Sequence, residues 1–440
     1  MNPYRENLSK PLSVNPFRVS QAVGGVLALQ GFFRSLPIIY GAHGCVEAVG
    51  EMLSQHYQEP IALQNVSVHD SNLIFGGSES AQDALELAMS RYKPDLIVLI
   101  GTSLTEMVGE DLENDVKLFI KKHSRTLGNC LVLSLQMPDY EGSLETGYAR
   151  MTERIVEAVV RLSGGTNRKK RRNRINLLAG PHLTPGDVME LREIISSFGL
   201  EVITLPDLSS SLCGHLLIGN TKLSRGGVPL DYLDKMMTSG CTVAVGECME
   251  GAARAIEQSS GIPYHVFPSL TGLQASDDFF EFLRKQSRTE VQVKYRWQRQ
   301  ILLDSMLDAR NAYRGKRIIA ALEPDHLLGL SGWLGEIGVR SFRAVSPSSS
   351  PVLDKIKGEV QIGDLEDMEL LAEDGADLWI GSSLSEQGAL RRGIAFEPMG
   401  FPIFNRLGSF LTVSVGYRGT TEILGRIGNA LLRAERRVHK

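Results

Sequence analysis

The segment RINLLAGPHLTPGDVMELREIISSFGLEVITLP (residues 174–206) decides the fold. Its run INLLA is continuously apolar, as in a strand covered on both faces of a parallel sheet. Thr184 is placed to cap a helix, Pro185 fits the first helical position, and Asp187 completes a capping-box-like spacing. Val188, Leu191, Ile194, Ile195 and Phe198 then recur on one helical face. Gly199 ends that helix and EVITLP supplies the next strand, which makes a βαβ unit.

The pattern repeats in both directions. PDLIVLIGTS (94–103) and NCLVLSLQMP (129–138) precede this unit; CTVAVGE (241–247), RIIAALEP (317–324) and DLWIGSS (377–383) follow it. A second unit starts at Arg317, with Leu327, Leu330, Leu334 and Ile337 on the inner helix face before Gly338. Composition shifts near 164–173 and 285–300, the second reading as a long charged helix. The expectation is an α/β protein of three Rossmann-like, doubly wound domains with parallel sheets. They would span residues 1–165, 174–285 and 286–440, the last with C-terminal helices. A length of 440 residues accommodates this at roughly 150 residues per domain.

A formal charge of −4 argues against a nucleic-acid or polyanion partner. The basic block NRKKRRNR (167–174) follows SGG and reads as a linker. The N-terminus lacks a signal-peptide core, and no apolar run approaches the roughly 20 residues that span a bilayer. Five scattered cysteines are unlike a disulfide framework, so a reducing cytoplasm is expected.

Nucleotide fingerprints and the G-x-S-x-G elbow are missing. GGSES (76–80) reads as an ordinary turn before an anion loop. His182 and His215 stand at no metal-ligand spacing, and each is expected to be a hydrogen-bonded structural residue. Cys130 and Cys241 lie in strand-like runs and read as core, while Cys213 and Cys248 sit near strand ends without a C-x-x-C partner.

Cys45 differs in placement. LPIIY (36–40) reads as a strand, GAHG (41–44) as a tight turn, and Val46 onward as a helix with Val46, Val49 and Leu53 on one face. A thiol at a helix N-terminus is favoured as thiolate, the form that ligates soft metals and iron–sulfur clusters. The bland alternative is a small buried hydrophobe. His43 could suggest zinc, but with Cys45 it gives two of the usual four ligands. A 4Fe–4S cluster takes four thiolates, so a cluster on Cys45 would draw most of its ligands from another chain and lie at a subunit interface.

Three stretches resemble the nitrogenase component 1 family. SVNPFRVSQAVGGVLALQGFFRSLPIIYGAHGC (13–45) is similar to its N-terminal cluster-binding segment. FGGSESAQDALELAMSRYKPDLIVLIGTSLTEMVGEDL (75–112) is similar to the segment that follows. PHLTPGDVMELREIISSFGLEVITLPDLSSSLCGHL (181–216) resembles the family's cofactor-assembly branch, as do GDLEDMELLAEDGADL (363–378) and GFPIFNRLGSFLTVSVGYRGT (400–420). Catalytic β subunits of the family give three cysteines to the eight-iron P-cluster. The matching positions here are Ser20, Cys45 and Ser103, so only the middle one keeps sulfur.

The resemblance therefore implies a non-catalytic scaffold subunit with no catalytic residue of its own. It would be the β-type half of an α2β2 heterotetramer with a NifE-type α subunit. Cys45 would be its single ligand to an interfacial 4Fe–4S cluster, and a transient precursor of the iron–molybdenum cofactor would be held mainly by the partner. Phe75 matches a position on the surface where the nitrogenase iron protein docks. The rival readings are a catalytic subunit of nitrogenase or of a protochlorophyllide reductase-like enzyme, and a cluster-free small-molecule binder.

Overall fold

A computed structural model of the chain describes residues 13–67, 78–162, 169–215 and 222–438. Three parallel sheets follow one another along it. The first holds β1 (Ser35–Gly41), β2 (Gln64–Ser67), β3 (Leu96–Gly101) and β4 (Leu131–Gln136) in the order β2-β1-β3-β4. The second holds β5 (Arg171–Ala179), β6 (Glu201–Leu205), β7 (Ser239–Val245) and β8 (Tyr264–Phe267) in the order β6-β5-β7-β8. The third holds β9 (Arg317–Ala321), β10 (Ser341–Ser346), β11 (Glu359–Ile362), β12 (Leu378–Gly381) and β13 (Ala395–Pro398) in the order β11-β10-β9-β12-β13. In each sheet the first strand is internal: the chain winds to one side, then crosses to the other. The switch points fall between β1 and β3, β5 and β7, and β9 and β12. Ligands of open α/β sheets gather at such points, beyond the C-terminal strand ends.

The unit that decided the fold forms as its residues dictate. Thr184 Oγ1 accepts from Asp187 N at 2.9 Å, and the Asp187 carboxylate accepts from Thr184 N at 3.0 Å. Pro185 opens the helix Pro185–Ser197, whose Val188, Leu191, Ile194 and Ile195 are buried, and Gly199 turns the chain at φ 73°.

Two local expectations are corrected. The second half of the basic block is not linker: residues 171–174 begin β5, where Arg171 N donates to Thr238 O at 2.7 Å and Arg174 pairs with Glu201 at 2.9 Å. An internal strand extends as far as its neighbours offer backbone partners, whatever its charge. The charged segment 285–300 does lead into a long helix, Val293–Tyr313, but that helix starts only after the end of Leu273–Ser287 and a break where Arg288 adopts φ 59°.

The sheets share side-chain layers. Val98 and Ile100 of the first sheet lie in one cluster with Leu178 and Ala244 of the second. Leu177 and Val243, on the opposite face of that sheet, join Ile318 and Leu378 of the third. The helix Gln21–Gln30 is buried along its whole length and crosses the helix Leu144–Leu162 at backbone contact. A Cβ at Gly24 would stand 2.0 Å from Leu144 O, and one at Gly147 2.0 Å from Gln21 O.

Gly147→Ala should therefore force the two helices apart and cost about 2 kcal/mol or more, seen as a fall in Tm. Gly335→Ala, in an exposed helical position with open space around its Cβ, should be neutral or stabilising by up to about 1 kcal/mol.

Candidate functional site

Cys45 stands at the switch point of the first sheet. β1 ends at Gly41, and the helix His43–Tyr57 starts two residues later, three positions before the expected start at Val46. Cys45 is thus the third helical residue, its amide hydrogen-bonded to Ala42 O at 3.1 Å. Val49 and Leu53 are buried and Val46 packs against the same core, so the expected inner face is present. The run 42–45 faces outward, with Cys45 exposed and open space around Gly44. A buried hydrophobe is excluded by that exposure. His43 is occupied by Asn65 at 2.9 Å and by Glu47 at 3.1 Å.

The neighbouring loops carry the other two positions. β3 lies beside β1, and Thr102 Oγ1 donates to Tyr40 O at 3.2 Å, so the turns after the two strands touch. Ser103 opens the helix Ser103–Val108, and its Oγ accepts from Asp139 N at 2.7 Å. Arg18 donates to Asp139 O, and Gln21 donates to Pro138 O at 3.1 Å and to Glu141 O at 2.8 Å. This brings Ser20, which precedes the buried helix, to the same loop. At one edge of the first sheet the loop 138–141 therefore gathers Ser103 and the start of the buried helix at Ser20, while Cys45 follows the neighbouring strand β1. Two exposed apolar side chains share that edge: Met107 is 83% and Tyr140 56% exposed. Phe75 lies outside the described residues.

Of the remaining cysteines, Cys241 is buried in β7, while Cys130 sits one residue before β4 and is only partly buried. His215 Nε2 meets Ser210 O at 2.9 Å, as expected of a structural histidine. His182 departs from expectation: both its ring nitrogens are shut off from solvent with no partner. It faces a cavity of about 1110 Å³ between the sheets, lined also by His56, Thr184, Glu323, His326 and Arg406. Burial pushes His182 down to about 3 and His326 to about 4, and pushes Glu323 up to about 7. No sequence spacing marks this cavity. The one legible trace is that His182, Glu323 and His326 each follow the C-terminal end of a strand.

The model of the family described as "Nitrogenase component 1 type Oxidoreductase" matches residues 20–432. The chain belongs to that family. It is similar to the "Nitrogenase iron-molybdenum cofactor biosynthesis protein NifN" of Bradyrhizobium diazoefficiens, 37% identical over 96% of this chain and 90% of that protein. The NifN of Nostoc sp. is also 37% identical, over 97% and 95%; that of Klebsiella pneumoniae is 33% identical, over 96% and 92%. Among solved structures, "Nitrogenase Cp1 at pH 6.5" superposes with a TM-score of 0.89 at 26% identity, covering 97% of this chain and 95% of the other. No described helix is long and apolar enough to cross a membrane.

His56, at the cavity wall, gives a pH test. Its Nδ1 accepts from Ile403 N at 2.8 Å, and burial lowers its pKa from 6.5 to about 3. Below pH 6.5 the unfolded chain takes up a proton that folded His56 refuses. Its share of stability is therefore full above 6.5 and falls towards pH 3 by up to about 1.4 kcal/mol per unit. His56→Phe should cost about 1–3 kcal/mol at pH 7 through the unpaired Ile403 amide. It should also make the decline of Tm from pH 6.5 to 4 shallower than in wild type.

Proposed function

We propose that this chain is the β-type subunit of a heterotetrameric scaffold on which the nitrogenase iron–molybdenum cofactor is assembled. Cys45 is its single ligand to a 4Fe–4S cluster shared with a NifE-type α subunit, and the nitrogenase iron protein docks on the complex, with Phe75 on the docking surface. A transient cofactor precursor rests mainly in the partner. The domain division 1–165, 174–285 and 286–440 belongs to the same reading, with the start of the second domain moved back to residue 171, where β5 begins. It is supported by similarity to NifN proteins over nearly the whole chain.

The observation that carries the cluster assignment is the exposure of Cys45 at the start of the helix that follows β1. One exposed thiol cannot complete a cluster's coordination, but it fits one corner of a cluster whose other ligands come from a facing subunit. Open space at Gly44 lets a bulky inorganic group approach the helix start, where free amide groups favour negative charge. Met107 and Tyr140 give the same edge an apolar surface for a partner to cover. When bound, such a cluster supplies a one-electron relay. This chain's own residues hold one corner of it and shape the contact face.

The catalytic β-subunit reading is disfavoured at the same edge. Ser103 Oγ is already engaged by Asp139 N, and a serine hydroxyl gives up its proton far less readily than a thiol. A cluster needing sulfur at positions 20 and 103 has none there.

Wild type and Cys45→Ala should be co-purified anaerobically with the α-type partner. The variant should keep its Tm within about 0.5 kcal/mol equivalent, because the side chain is exposed. It should lose the interfacial iron and the cluster's absorption. Iron content and spectrum equal to wild type would remove Cys45 from the ligand set.

A further inference from the structure

The second and third sheets point their switch points at each other, and helix Leu144–Leu162 of the first enters the same place. Three ligand-bearing side chains meet there: Glu145 in the first turn of that helix, Cys248 just after β7, and Asp325 in the first turn of helix Pro324–Ile337 after β9. One carboxylate oxygen from each acid and the Cys248 sulfur all lie within 4.8 Å of one another. The three residues belong to three successive α/β units, with Glu145 and Asp325 180 positions apart and Cys248 77 positions before Asp325, so no local repeat creates the cluster.

The backbone is shaped to hold it. Asp325 N donates to Glu145 at 3.0 Å, and Cys248 N donates to Asp325 Oδ2 at 2.9 Å, which fixes both carboxylates. Gly246 adopts φ 98°, and a Cβ there would stand 2.7 Å from Asp325 Oδ2 and 2.8 Å from His182 Cε1. Only glycine permits this approach, and it sets the His182 ring edge against the cluster.

Two observations point to a missing ligand. Asp325 is 0% exposed, yet its Oδ1 has no hydrogen-bond partner. Both nitrogens of neighbouring His182 are also buried without one. Buried polar atoms are almost always satisfied, and an orphaned oxygen on a buried carboxylate beside a second buried acid and a thiol calls for a cation. Among the described residues, no lysine or arginine pairs with Glu145 or Asp325.

We propose that Glu145, Cys248 and Asp325 bind one divalent transition-metal ion of the Fe2+ or Zn2+ kind, with water completing its coordination. A thiolate and two carboxylates match the donors such ions take, whereas a thiolate disfavours Mg2+ and Ca2+. On binding, the Cys248 thiol, which otherwise donates to Asp325, releases its proton to solvent and the sulfur–metal bond takes its place. No electron changes hands. The ion would tie the three sheets together at the cavity wall, and it is distinct from any cluster at Cys45.

The test uses the full chain as purified with its partner, dialysed against chelator and then given Co2+ as the probe. Wild type should retain one Co2+ per chain through gel filtration. Its difference spectrum should show sulfur-to-cobalt charge transfer, and its Tm should rise because the ion binds only the folded form. Asp325→Asn and Cys248→Ser should each weaken retention at least tenfold, Cys248→Ser should abolish the charge-transfer band, and Cys45→Ala should leave both unchanged. Equal Tm of the chelated variants and chelated wild type separates lost binding from lost folding, and Glu145→Gln replaces any variant that does not fold. Failure of wild type to retain one Co2+, or a band that survives Cys248→Ser, overturns the proposal; neither result would touch the assignment of Cys45.

Discussion

The contact on which the architecture depends is the glycine-lined crossing of helices Gln21–Gln30 and Leu144–Leu162. Helices packed through ordinary side chains stand 8–10 Å apart. Here Gly24 and Gly147 each bring a backbone against the opposite helix, with no room for a Cβ. The consequence reaches both ways along the chain. Ahead of the first helix it fixes Ser20 and Arg18 at the loop 138–141, and at the start of the second it carries Glu145 into reach of Asp325. One close approach thus positions the outer edge of the first sheet and the inner junction of all three.

Repetition of one winding rule explains why chemistry-bearing residues collect at two places and not along the strands. In each sheet the first strand is internal, so loops after adjacent strands leave in opposite directions and open a crevice. The first sheet leaves Cys45 exposed at its switch point. The second and third turn theirs towards each other, enclosing the cavity and its histidines. The same topology therefore makes an exposed surface in one case and an interior in the other.

Much of the fold could be read locally. Continuous apolar runs become strands, and the Thr184–Asp187 box becomes a helix cap, because the forces involved act over a few residues: periodic burial and short-range hydrogen bonds. Errors arose where a distant partner overrode local character. Residues 171–174 look like solvated linker but extend β5 because Thr238 and Glu201 supply partners from elsewhere in the chain. The helix behind Cys45 starts at His43, since the parallel pairing of β1 ends at Gly41.

The amino-acid sequence by itself determined the α/β class, the strand runs, the isolation of Cys45 and the absence of sulfur at positions 20 and 103. The first three follow from composition and spacing and the last from the family resemblance, and none needs a neighbour in space. Tertiary structure alone decided that Cys45 faces outward, that His182 has no hydrogen-bond partner, and that Glu145, Cys248 and Asp325 meet. Exposure and convergence depend on how three sheets are turned against one another, and that orientation is set by close packing between segments far apart in the chain.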